Sequence, residues 1–489
     1  MKLSKKISET LKDKNLYIFL IITLLFFGIF VKMDFATDTY AVIGNDKSEI
    51  LSNFLQSGRF ITAVFFAIFT KLNIKIQLVY ILSFLLSIIS ISLSMYKLNK
   101  MLLNEKVSKA SSIIISILLI INPFSIEEMM YIEKGIMTLA ILLVVLAVEQ
   151  FVKYIKNEDK KYIISSAIFM LISIMCYQGI AGLFVIITSV FAICESKTFK
   201  KFIKNLIALI LIYGIAALIN LLVIKLLSTS SRVDGQIIIL ESIKKILSGS
   251  KNMIQTYNIL PKMCFIIFNV LTAMLTVFAC VKNEKGMSNV IKTILQIIYI
   301  ILCTYIFSIL PQAMQKTESI WFVSRSTYPF ASMLGAIMLF KALKNDINLN
   351  KIFIIIGISF LCIELVRFYQ IEIDHYNVNY IDKVISESIG QEIENYENET
   401  GIKVTKISIY KDKNPRFSYN NIFVTGDINI TAFATSWSDV NAINYYNNLK
   451  LRKVENDENI KKEFENVDYT FWSEKQIKII NDTLHLCIF

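Results

Sequence analysis

Up to residue 370 the chain alternates between long apolar runs and short polar connectors. A helix needs about 20 predominantly apolar residues to cross about 30 Å of hydrocarbon. By that measure eleven spans are predicted, at roughly 16–31, 76–96, 110–126, 136–155, 162–177, 179–194, 206–227, 264–281, 290–310, 328–343 and 351–369. The apolar stretch 60–69 is too short to cross and is expected at the membrane surface. Just before it Ile50, Leu51, Phe54 and Leu55 recur at helical spacing, which predicts a second short surface helix. Beyond residue 370 Tyr, Asn, Glu and Lys replace the apolar runs. Segments 382–398 and 437–448 read as helices, and 404–410 and 484–489 as strands. The expected architecture is an α-helical polytopic membrane protein with a membrane domain over 1–370 and a small α/β domain over 371–489.

Composition agrees, since 55% hydrophobic residues and a mean hydropathy of +0.56 exclude a soluble protein of this length. The net charge of +12 would point to nucleic acid in a soluble chain. Here the lysines gather in connectors 97–109, 153–161, 197–204, 282–292 and 341–351, all on the side of the lysine-rich N-terminus, so they read as topology signals and no nucleic-acid partner is expected. That side is the cytoplasm, and an odd number of spans puts the tail outside a plasma membrane. The seven cysteines form no disulfide or metal pattern, and two histidines argue against zinc. Any metal would be Mg2+ or Mn2+ on carboxylate oxygen, and no other cofactor is indicated.

Chemistry concentrates on the expected outer side. The connector 32–60 carries Asp34, Asp38, Asp46, Glu49 and Arg59; later connectors add Glu127, Glu128, Glu133 and Lys134, then Tyr177 and Gln178, Arg232, and Lys316, Glu318 and Arg325. The middles of the spans are nearly free of charge, which argues against a transporter or flippase. Nucleotide sugars cannot reach outer residues, so a group-transfer enzyme there needs a donor carried on a lipid, such as a polyprenyl-phosphate sugar. A carboxylate would take the acceptor proton, and cationic side chains would hold the departing phosphate. Asp38 and Asp34 are the candidate bases, Arg59, Arg325 and Lys134 the candidate phosphate ligands, and Glu133, Tyr177 and Gln178 the candidate substrate contacts. The plain alternatives are a solvated loop acid for Asp38, a snorkelling Arg59, a local Glu133–Lys134 pair, and interfacial positions for Tyr177 and Gln178. Asn122 and Pro123 read as a helix stop. A glycan polymerase or flippase, and a scaffold presenting the tail, are the competing functions.

The strings TDTY and SGRF after the first span, INPFSIEEMMYIEKG after the third, CYQG between the fifth and sixth, SRSTYPF before the tenth and the ending DTLHLCIF together resemble the Gtr type II family of serotype-converting glucosyltransferases, which are similar to the GT-C class. The resemblance implies a catalytic carboxylate in the first outer connector, which maps onto Asp38. It also implies transfer of a glycosyl group, glucosyl by the family's pattern, from a polyprenyl phosphate to a cell-surface glycan at the lipid bilayer. The chain departs from the family where paired acids are common and Thr37 and Asp38 stand, and at YIEKG, where Glu133 is the available acid.

Overall fold

The computed structural model describes residues 10, 12–44, 47–227, 240–283, 287–344, 350–411, 419, 421–467, 469 and 472–488; Asp46 and Arg232 lie outside them. In chain order the helices are α1 (Lys14–Phe27), α2 (Thr37–Gly44), α3 (Lys47–Gln56), α4 (Phe60–Lys71), α5 (Ile76–Asn104), α6 (Lys109–Ile120), α7 (Ser125–Glu128), α8 (Lys134–Asn157) and α9 (Lys160–Cys176). They continue with α10 (Gly182–Glu195), α11 (Phe199–Leu227), α12 (Leu240–Ile254), α13 (Cys264–Asn283), α14 (Met287–Ala313), α15 (Met333–Leu343), α16 (Asn350–Thr400), α17 (Asp439–Asn447) and α18 (Glu458–Glu465).

Among the described residues eight helices are long and apolar enough to cross a membrane: α1 and α10 with their adjoining 3-10 turns, and α5, α8, α11, α13, α14 and α16. Each coincides with a predicted span. The other three predicted spans are shorter or divided. The run 110–126 ends as helix at Ile120, because Pro123 has no N–H to donate and the Asn122 side chain accepts from the Phe124 N–H at 2.9 Å instead. The run 162–177 forms α9, of 17 residues. The run 328–343 is a 3-10 segment, Arg325–Ser332, followed by the 11 residues of α15. There Ser326 and Thr327 hydroxyls bond back to the Val323 carbonyl at 2.9 and 3.1 Å, the local competition that weakens helices at Ser and Thr.

Contacts divide the chain into two units. The first comprises Met1–Val31, Lys47–Met129 and Glu133–Tyr369. At its centre α8 packs against α5 and α9 through small residues whose hydroxyls reach across: Gly135 N–H donates to Ser83 Oγ, and Ser166 and Ser173 donate to the Ala147 and Ala140 carbonyls, each at 2.9 Å. Such pairing lets serine sit in an apolar bundle without an orphaned polar group. The short amphipathic α3 and the 12-residue α4 occupy the two predicted surface segments.

The second unit comprises Lys32–Asp46, Met130–Ile132 and Gln370–Phe489. Strands β1 (Lys406–Tyr410), β2 (Arg452–Lys453), β3 (Ile477–Ile480) and β4 (Thr483–Cys487) form a sheet of order β2-β1-β4-β3, parallel across β2-β1-β4 and antiparallel at β4-β3. Ile385, Ile389 and Ile393, one face of α16, bury against Ile407, Leu484 and Leu486 of the sheet. The predicted helix 382–398 is the polar end of the 51-residue α16, and the predicted strands 404–410 and 484–489 correspond to β1 and β4, with Phe489 outside the described residues. Helix α2 also belongs here. The Asn379 side chain accepts from the Phe35 N–H at 2.7 Å, and the Tyr40 and Tyr446 hydroxyls meet at 2.7 Å.

Candidate functional site

In the first unit two arginines and three glutamates gather where α4, α7 and the segment before α15 begin or end. Arg59 precedes the first turn of α4 after Gly58, whose φ of +70° favours glycine. A side chain at Gly58 would also collide with Ile224, Asn220 and Gln178. The Arg59 guanidinium lies 3.8 Å from Glu133 Oε1 and stacks over the Tyr177 ring at 4.7 Å. Its buried Nε has no hydrogen-bond partner among the described residues. Glu133 immediately precedes α8, and Lys134 is its first residue. Lys134 is fully buried, with its ammonium 3.8 Å from the Tyr80 ring centre and 5.6 Å from that of Phe30, so aromatic faces meet that charge.

Arg325 is held differently. Its Nη1 donates to Glu127 Oε1 at 2.5 Å, its backbone N–H donates to Glu127 Oε2 at 2.8 Å, and the Ser324 hydroxyl donates to that same oxygen. Glu127 is buried and Arg325 largely so, with side chains 1% and 11% exposed, so this is a closed, charge-assisted clamp. The Arg325 segment also approaches the turn carrying Tyr177 and Gln178. A Cβ on Gly179 would stand 2.6 Å from the Arg325 carbonyl oxygen, so only glycine fits.

Glu128 is 1% exposed, and neither carboxyl oxygen has a hydrogen-bond partner among the described residues. Burial, and next the Glu127 charge, push this carboxyl well above the usual carboxylate range, while Arg325 and Arg59 pull the other way.

Beside Arg59 opens a cavity of about 110 Å³. Arg59, Gln178, Asn220 and Gln315 supply its polar lining; Ile174, Leu221, Ile224 and Met314 supply apolar walls from α9, α11 and the end of α14. Gln178 is fixed there by a 2.6 Å bond from its Nε2 to the Ser57 carbonyl. A cationic polar end joined to apolar walls suits an amphiphile with an anionic head.

The structure therefore brings Arg59, Glu133, Tyr177 and Gln178 together and ties Arg325 to Glu127. Asp34 and Asp38 belong to the second unit, both half-buried. Asp38, expected in a loop, stands in the first turn of α2, where a negative charge is favoured by the helix dipole. Sequence reasoning noted Glu127 and Glu128 only as connector acids and assigned neither a role. Their available signal was a pair of acids inside an apolar stretch directly after an Asn-Pro helix stop. Among the described residues no group of three or more His, Cys, Asp or Glu side chains is placed to hold a metal ion.

Residues 27–364 match the sequence profile of a family described as Glucosyl transferase GtrII. That range contains all eight predicted site residues and ends before the tail. No curated protein matches the chain.

Proposed function

Because the chain belongs to the glucosyl transferase GtrII family and is a membrane protein, it is a glycosyltransferase, and we propose that it moves glucose from a polyprenyl-phosphate donor to a cell-surface glycan on the outer side of the plasma membrane. The observation that carries this reading is the cavity beside Arg59, whose cationic end and apolar walls match the two halves of a lipid phosphate. The acceptor hydroxyl attacks the anomeric carbon, the bond from that carbon to the phosphate oxygen breaks, and the phosphate leaves toward Arg59. The hydroxyl proton passes to a carboxylate, assigned to Asp38 with Asp34 as the alternative. Lys134 and Glu133 complete the charge around the donor, Tyr177 and Gln178 contact it, and Arg325, tied to Glu127, holds its own segment in place. Charge stabilisation on the departing phosphate comes from the Arg59 guanidinium and the Lys134 ammonium.

Topology in this reading follows the lysine-rich connectors, with the N-terminus cytoplasmic and the tail outside. The tail positions the acceptor glycan. Exposed Tyr376 and Tyr380, stacked at 6.4 Å, offer aromatic surface of the kind that packs on sugar rings.

The test supplies purified protein and acceptor glycan with either polyprenyl-phosphate glucose or UDP-glucose. Transfer is expected from the lipid alone. Asp38→Asn should slow it by about 10² to 10⁴ without loss of donor binding, with Asp34→Asn milder. Efficient use of UDP-glucose in the absence of a lipid carrier overturns the proposal.

A further inference from the structure

A carboxyl group that is buried without a hydrogen bond is destabilising, and native proteins keep few of them. Glu128 is such a group, with both oxygens enclosed and unpartnered among the described residues. Its surroundings are nonetheless strongly polar. Glu127, Arg325, Arg59 and Glu133 lie close enough for their charges to act on it, and the phenols of Tyr177 and Tyr328 lie near it as well.

The two guanidinium groups are already opposed by carboxylates. Arg325 is clamped by Glu127 at 2.5 and 2.8 Å, and Arg59 faces Glu133 at 3.8 Å. Glu128 forms no ion pair with either guanidinium, and its enclosure without a hydrogen bond disfavours the charged form, so it is carried as a neutral acid. A neutral carboxyl offers one O–H donor and one carbonyl acceptor. A sugar hydroxyl also donates and accepts, so one hydroxyl satisfies both halves of the carboxyl, whereas a phosphate monoanion would satisfy chiefly the donor.

We propose that Glu128 is a sugar-binding residue of the donor site, its carboxyl group both giving and taking a hydrogen bond with a hydroxyl of the transferred sugar. This rests on the glucosyl-transfer reading above and assigns the two ends of the donor to different residues: phosphate to Arg59, sugar to Glu128. An enclosed site built to hydrogen-bond a hydroxyl discriminates strongly against a ligand lacking it, because the protein group is then left unpaired.

The experiment measures binding of polyprenyl-phosphate glucose, and of polyprenyl phosphate without a sugar, to the full chain in detergent. Glu128→Leu is expected to weaken binding of the sugar-bearing lipid about tenfold, the scale of one hydrogen bond lost in a desolvated site, and to leave the sugar-free lipid within about twofold. Glu128→Gln keeps a donor and an acceptor in one plane without an ionisable proton and is expected to stay within about threefold of wild type for both lipids. Equal weakening of both lipids by Glu128→Leu, or no weakening of either, overturns the proposal. Glu128→Gln as impaired as Glu128→Leu overturns it too, since an ionised carboxylate would then be needed. Should Glu128→Leu not fold, Glu128→Asp, which retracts the carboxyl by one methylene, must weaken the sugar-bearing lipid alone, and unchanged binding of both lipids counts against the proposal. Wild-type protein that binds neither lipid refutes the glucosyl-transfer reading and this inference with it. Wild-type protein that binds both lipids equally refutes the inference alone.

Discussion

Replacing the two arginines of the site one at a time should produce opposite outcomes. Arg325 is closed into a buried clamp on Glu127, with the guanidinium and backbone N–H at 2.5 and 2.8 Å. Arg325→Ala leaves Glu127, 1% exposed at its side chain, as a buried charge without its partner, a change that costs about 3–5 kcal/mol. Arg59 is held more loosely. Its 3.8 Å separation from Glu133 is beyond hydrogen-bond range, and its stacking on Tyr177 at 4.7 Å contributes about 0.5–1 kcal/mol. Arg59→Ala should therefore lower stability by only about 1–2 kcal/mol. Its larger effect falls on the donor, where losing a hydrogen bond to a charged phosphate costs about 1.5–3 kcal/mol, or about 10- to 150-fold in affinity. Thermal unfolding of the purified variants, with titration of each by polyprenyl phosphate, separates the two effects. Arg325→Ala that unfolds like wild type yet loses the lipid, beside Arg59→Ala that unfolds early and binds normally, would refute the division of roles.

Two further outcomes are expected. Gly179→Ala would drive a methyl group to 2.6 Å from the Arg325 carbonyl oxygen, so it should destabilise by about 1–3 kcal/mol; an unfolding temperature equal to wild type would show that this approach is not tight. In the tail, burial holds the His485 imidazole below its ordinary pKa, with Lys478 adding to the effect and Asp457 opposing it. The unfolded chain therefore protonates first as pH falls, and the stability His485 contributes is present above about pH 6.5 and lost as pH drops through the lower folded value. Hydrogen exchange of β1 and β4 in the full chain, corrected for intrinsic rates, should show less protection at pH 5 than at pH 7, and His485→Gln should flatten the difference. Equal protection at both values would contradict this.

What the sequence disclosed followed the range of the forces involved. Spans such as α5 and α11 were legible because a long apolar run has only one place to go in water and lipid. The divided runs at Asn122 and Pro123 and at Ser326 to Pro329 were less so, because composition registers hydropathy while backbone donors and hydroxyl competition decide where a helix stops. Arg59 and Arg325 stood out as cations in connectors otherwise expected, from the lysine pattern, to be poor in them. Which glutamate receives Arg325 could not be read, since Glu127 and Glu128 are neighbours with the same side chain and the choice depends on a segment 198 positions away. Likewise Asp38 was visible as an acid, but the membership of α2 in the tail's unit rests on contacts such as Tyr40 with Tyr446, 406 positions apart.

The spacing of the Arg325 clamp has a consequence for how the protein is made. Ribosomes add about 5–20 residues each second, so the 198 positions between Glu127 and Arg325 correspond to about 10–40 s of synthesis. Throughout that interval Glu127 is already in the nascent chain and its counter-ion does not yet exist. A chain that stalls or is cut short in that interval keeps an acid with no guanidinium to close on it. The unfinished protein thus carries an open Glu127 carboxylate that the completed one closes with Arg325.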